Sequence, residues 1–136
     1  MKSLRNDAQR IEEINYVSRQ VVDAAMRVHS VLGPGLLESA YEVCLAQELR
    51  NRGLHVLVQT PLPIVYEGLR VEAGYRADLL VDSSVIVELK AIAKLLPVHD
   101  AQLLSHLRLS GHRVGLLINF HVVHLKDGIK RLVNKF

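Results

Sequence analysis

Arg76-Ala77-Asp78-Leu79-Leu80-Val81-Asp82-Ser83-Ser84-Val85-Ile86-Val87-Glu88-Leu89-Lys90 is two apolar runs joined by a polar tripeptide. Its reading as two antiparallel strands around a three-residue loop at 82–84 decides the fold. Side chains alternate across a sheet, so Glu88 and Lys90 share one face. A loop of that length sets Asp78 opposite Glu88 on the same face, while Leu79, Val81, Val85, Val87 and Leu89 point to the other. A two-residue loop would divide Asp78 and Glu88 between the faces, so the register is open to refutation.

Two carboxylates directly opposed amid apolar neighbours repel one another and are costly to desolvate. A hard divalent cation relieves both penalties, since Mg²⁺ favours a few carboxylates together with water and substrate phosphate oxygens. Lys90 adds a positive charge able to orient a water or to stabilise charge developing at phosphorus. The set suits phosphodiester hydrolysis. The plainer alternative is surface pairing of Asp78 and Glu88 with Lys90 and Arg76. Leu79, Leu80 and Ile86 weigh against it, because they place apolar residues around the charges on both faces.

Outward from this segment, Ile11, Ile14, Val17, Val21, Ala25, Val28 and Leu32 recur every three or four positions and predict a helix over 7–32. Gly33-Pro34-Gly35 breaks it as a turn, and lacks the lysine and serine or threonine of a phosphate-binding loop. A second helix is expected over 36–52, with Leu37, Tyr41, Cys44, Leu45 and Leu49 inside and Gly53 just past its end. Short strands follow at 54–59, 63–66 and 69–72, with a turn at Glu67-Gly68. Beyond Lys90, Val98, Leu103, Leu104 and Leu107 predict a helix over 98–109 that stops near Gly111. Val114–Phe120 reads as a central buried strand, followed by a strand at 122–125 and a short helix near 129–133. The expected fold class is α/β (α+β), a mixed β-sheet flanked by helices, formed by one domain over 1–136.

Of 136 residues, 49% are hydrophobic and 23% charged, a globular and not a disordered composition. No apolar run approaches the roughly 20 residues that span a membrane. The amino terminus has acidic residues close by and no apolar core, so a secretion signal is not expected. A single cysteine, Cys44, excludes an internal disulfide; it reads as a small packed hydrophobe, and a cytoplasmic location is expected. The net charge of +3 is compatible with a polyanionic partner. Aromatics at 4%, with no Trp, give no stacking platform for single strands. The seven histidines show no paired Cys/His spacing, so structural zinc is not expected.

Asp78 followed by Glu88-Leu89-Lys90 resembles the signature of the PD-(D/E)XK nuclease-like superfamily. Gly35-Leu36-Leu37-Glu38-Ser39-Ala40-Tyr41 resembles that of the GxxExxY proteins, a bacterial and archaeal group placed in it. The likeness runs from about Gly33 to Phe120. It takes in Glu48-Leu49-Arg50-Asn51-Arg52-Gly53, Gln102, and Gly115-Leu116-Leu117-Ile118-Asn119-Phe120. Ala77 stands where the motif's name has Pro. The resemblance implies a restriction-endonuclease-like core with the motif on its second and third strands. It implies that Asp78 and Glu88 bind Mg²⁺ or Mn²⁺, with the Leu89 carbonyl as a further ligand and Lys90 by the attacking water. Glu38 matches an acidic residue that completes such sites, and Gln102 a polar position leaning over them.

Without the resemblance, Glu38 at a helix start is explained by the macrodipole, Gln102 by solvation, and Tyr41 by core packing. The expected function is a metal-dependent endo- or exonuclease acting on DNA or RNA, with a homodimer as one way to engage two strands. The alternative is a catalytically weak or inactive nuclease-fold module that binds nucleic acid or a protein.

Overall fold

The computed structural model describes residues 6–134, so the reading of the amino terminus falls largely outside the described residues. Helix α1 (Asp7–Leu32) begins at a reciprocal cap: the Asn6 side chain accepts from Gln9 N at 2.8 Å, and the Gln9 side chain accepts from Asn6 N at 3.1 Å. Its apolar stripe buries Val17, Val21, Ala24, Ala25 and Val28. Helix α2 (Glu38–Asn51) buries Tyr41, Leu45 and Leu49, and Gly53 follows it in the left-handed region. Leu37, expected inside, is 79% exposed, because it is the extended residue that caps α2 and lies off its inner stripe. No helix among the described residues is long and apolar enough to cross a membrane.

Five strands form one mixed sheet in sequence order: β1 (Val56–Tyr66), β2 (Leu69–Val81), β3 (Val85–Lys90), β4 (Val114–Asn119) and β5 (Ile129–Val133). β1, β2 and β3 pair antiparallel; β3 and β4 are parallel, connected through helix α3 (Pro97–Ser110); β4 and β5 are antiparallel. The β2–β3 register is Val81↔Val85, Leu80↔Ile86 and Leu79↔Val87, which is the three-residue connection expected at 82–84.

Helices lie on both faces. Under α1 and α2 the core includes Leu79, Val81, Val85, Val87, Leu89, Ile118 and Phe120. Under α3 a smaller core holds Leu62, Ala77, Leu80, Ile86, Leu103, Leu107 and Leu117.

The structure departs from the expected elements in three places. The short strands expected at 54–59 and 63–66 are one strand, as are 69–72 and 76–81, making a long β1–β2 hairpin turned by Glu67-Gly68. Pro61 and Pro63, which divide the first run, are tolerated because β1 is the sheet edge. Residues 122–125, expected as a strand, are a bend entering a 3₁₀ turn (Leu125–Gly128). The helix expected near 129–133 is β5. Every residue of β4 is buried, and its outer backbone groups need the partner that β5 supplies.

The feature that positions the site is a bend in the hairpin. Gln59 adopts φ +49°, and the β1–β2 ladder passes from Val58↔Leu79 to Thr60↔Ala77 with Gln59 and Asp78 unpaired between them. Leu79 packs under α1 and α2, yet Ala77, two residues before it, packs under α3. A regular strand keeps such positions on one face. The distal half of the hairpin has therefore turned over at Gln59–Asp78 to cover α3.

Candidate functional site

Asp78 lies at that bend, one step past the last paired residues of β2 and β3, in the register that places it against Glu88. Its carboxylate replaces the missing ladder partner: Oδ2 accepts from Leu89 N at 2.8 Å. Oδ1 accepts from Gln59 Nε2 at 3.1 Å, and the same nitrogen donates to Glu42 of α2. Gln59 thus ties α2 to Asp78 across the bend.

Glu88 is half-buried, and its Oε1 accepts from the Tyr75 hydroxyl at 2.7 Å. Burial pushes its carboxyl up to about 8, and the nearby Asp78 carboxylate adds to this by repulsion, while Tyr75 and Lys90 oppose it. Tyr75 is itself raised, first by burial and then by the Glu88 charge. The Tyr75 ring stacks on His106 of α3 with centroids 3.4 Å apart and planes 19° apart. His106 Nδ1 is buried without a hydrogen-bond partner among the described residues, and desolvation holds the imidazole below its usual value.

Glu38, the first residue of α2, is placed by the turn before it. Gly35 has φ +99°, a conformation that needs glycine. The Tyr41 hydroxyl donates to Gly33 O at 2.6 Å and accepts from Leu36 N at 3.1 Å, while its ring stacks on Phe120 at 4.4 Å. Gly35 shapes the turn, Tyr41 pins it to the core, and Glu38 emerges from it toward the strands. The Glu38 carboxyl is raised by partial burial first, then by Asp78 and Glu42, with Lys90 acting against them. The charge of Lys90 therefore acts on both Glu38 and Glu88.

The exit of β3 is fixed by Asn119, which is buried at the end of β4. Its side chain accepts from Ile92 N at 3.1 Å and donates to Ile92 O at 2.9 Å, and Phe120 N donates to Lys90 O at 2.9 Å.

Glu38, Asp78, Glu88 and Lys90 are thus drawn into one electrostatic cluster, and Leu89 joins it through its backbone. Gln102 is solvent-exposed on α3 and makes no hydrogen bond among the described residues. His106, one turn further along α3, is the residue that meets the cluster. Sequence reasoning also missed Tyr75, Gln59 and Glu42. Glu42 carried a signal, one turn after Glu38 on the same helix; Gln59 and Tyr75 reach the cluster only because the hairpin bends.

Among the described residues no group of three His, Cys, Asp or Glu side chains is gathered as a ready metal cage. Cys44 packs against the core. A hollow of about 920 Å³ between the first half of α1 and the β2–β3 loop, lined by Arg10, Tyr16, His55 and Ser83, stands at the opposite end of β3 from Glu88.

The family model of the PD-(D/E)XK nuclease superfamily matches residues 15–132. No curated protein matches the chain, and no solved structure does.

Proposed function

The chain belongs to the PD-(D/E)XK nuclease superfamily, and on that premise we propose that it is a Mg²⁺- or Mn²⁺-dependent nuclease of the GxxExxY group, cleaving phosphodiester bonds of DNA or RNA. The observation that carries this reading is the Asp78–Glu88 pair, two half-buried carboxyls close enough to repel one another, with the Lys90 charge acting on Glu88. Burial and the Asp78 charge both disfavour the Glu88 carboxylate, a penalty that a bound cation relieves. Oxygen donors, partial burial and mutual repulsion fit a hard divalent ion.

Asp78 and Glu88 would hold the ion, with the Leu89 carbonyl and Glu38 completing its protein ligands. Leu89 N–H points at Asp78, and within a strand the carbonyl of a residue lies on the same edge as its N–H. When bound, the ion lowers the pKa of a coordinated water and neutralises charge on the phosphate. Lys90 orients that water and counters the negative charge that builds on the non-bridging oxygens. Gln59 and Asn119 keep Asp78 and Lys90 in place, and Gln102 stands on α3 where it can meet substrate. Nucleic acid is the partner, and a homodimer would present two such sites to two strands.

One observation favours the second reading, a weak or inactive module that keeps the fold and binds nucleic acid or a protein. Both Asp78 oxygens already accept hydrogen bonds, from Leu89 N and Gln59. In a nuclease Gln59 must yield when the cation arrives; in a binding module it stays.

The deciding experiment is calorimetric titration of Mg²⁺ and Mn²⁺ into the wild type and an Asp78→Ala/Glu88→Ala double variant, with plasmid nicking and RNA cleavage measured on the same preparations. Binding and cleavage that disappear together in the variant establish the nuclease. No binding at millimolar metal and no cleavage by the wild type would establish the module.

A further inference from the structure

We propose that Tyr75 is a positioning residue of this site, fixing the Glu88 carboxylate through its hydroxyl, and that the ring face of His106 holds Tyr75 in place. The inference rests on the metal-site reading above and extends it to two residues outside the motif.

A glutamate side chain has three rotatable bonds, and ordering it opposes any task that needs one geometry. Glu88 has Asp78 on one side and Tyr75 on the other. The Tyr75 hydroxyl, 2.7 Å from Oε1, occupies one oxygen of Glu88 and leaves the other free of that bond for a cation. A neutral donor suits this work. It stabilises the carboxylate without adding a positive charge that would repel the incoming ion.

Tyr75 in turn cannot be held by its own strand alone, since it lies in the distal half of the hairpin beyond the bend at Gln59. The stack on His106 supplies the support from α3. His106 does so by its ring: the two rings stack at 3.4 Å, and among the described residues its buried Nδ1 has no hydrogen-bond partner. The small core under α3, with Leu103 and Leu107, fixes the helix that carries it.

The test measures Mn²⁺ affinity by calorimetry and melting temperature without metal for Tyr75→Phe, His106→Phe, His106→Ala and Val21→Ala. Tyr75→Phe keeps the ring and its stack but loses the hydroxyl; the expected result is Mn²⁺ binding weakened about 10-fold or more, the range for loss of a residue that orients a metal ligand. His106→Ala is expected to weaken binding in the same direction, and His106→Phe to restore it. Val21→Ala, in the other core under α1, serves as the structural control, lowering the melting temperature while leaving Mn²⁺ affinity close to that of the wild type. Tyr75→Phe binding Mn²⁺ as tightly as the wild type, while Asp78→Ala does not, would overturn the role of Tyr75 and leave the metal site standing. His106→Phe as weak as His106→Ala would overturn the role of the ring face. A wild type that binds no Mn²⁺ would overturn both the metal site and its positioning.

Discussion

At Glu88 the fold holds a carboxyl whose proton is bound more tightly in the native state than in the unfolded chain, up to about 8 against the ordinary 4.5, through burial and the nearness of Asp78. The sign of the pH effect follows. Below about pH 4.5 both states carry the proton and the stabilising contribution is complete; as pH rises through 4.5 to about 8, the unfolded chain ionises first and that contribution is lost. Metal-free protein is therefore expected to lose stability between pH 5 and 8, by a few kcal/mol at about 1.4 kcal/mol per pH unit. Urea denaturation in the presence of a chelator measures it. Glu88→Gln, which keeps a hydrogen-bonding side chain and removes the charge, should flatten the slope and be more stable than the wild type at pH 8. An unchanged slope in that variant would place the titration elsewhere. Asp78, Glu88 and Lys90 were legible in the sequence because charges at alternate positions interrupt an otherwise apolar pair of strands. Tyr75 was not. It lies three positions before Asp78, an odd spacing that places the two on opposite faces of a regular strand, and only the turn-over at Gln59 brings it to Glu88.

At the scale of the elements, α2 shows how a local motif serves a distant site. The turn from Gly33 to Leu37 has no regular hydrogen-bond ladder, and the Tyr41 hydroxyl supplies one donor and one acceptor to it from within the core. Gly35→Ala forces a side chain into φ +99° although the space around it is open, so the penalty is conformational, roughly 1–2 kcal/mol. Tyr41→Phe keeps the stack on Phe120 but leaves Gly33 O and Leu36 N without their partner, a loss of about 1–3 kcal/mol. Both variants are expected to lower the denaturation midpoint and, by loosening the start of α2, to weaken Mn²⁺ binding through Glu38. Equilibrium denaturation and a metal titration on each read the two effects separately; full Mn²⁺ affinity in both would remove Glu38 from the ligands. The helices themselves were legible because an amphipathic stripe is a local signal, as the α1 stripe from Ile14 to Val28 shows. The carboxy-terminal strand was not. Ile129 and Leu132 sit three apart, a spacing a helix also uses, and the deciding influence is the open edge of β4, a tertiary demand with no local signature.

Across the whole molecule, the two cores are joined by the sheet and bridged at one end by the bent hairpin, and the charged cluster occupies that bridge. Burial that would otherwise favour folding is there spent on the half-buried Asp78 and Glu88, and the Asp78 charge repels both Glu88 and Glu38 while no cation is present. The mixed sheet between helices could be read from the order of apolar segments; the bridge could not, because it depends on which core each half of a strand joins. A site of this kind makes the protein's stability depend on its cation. At a free Mg²⁺ or Mn²⁺ concentration of 100 times Kd, binding to the native state alone adds about 2.7 kcal/mol. In a domain of this size that corresponds to a rise of roughly 6–12 °C in melting temperature. The shift should grow with the logarithm of metal concentration, reverse on chelation, and vanish in Asp78→Ala. It should also be larger at pH 8 than at pH 6, because at the lower pH the cation must displace the proton held by Glu88. Differential scanning calorimetry across that matrix of metal and pH measures both dependences. A shift of equal size in Asp78→Ala would show that the cation binds elsewhere, and the cluster would then be a set of charges held together by the fold without a metal to serve.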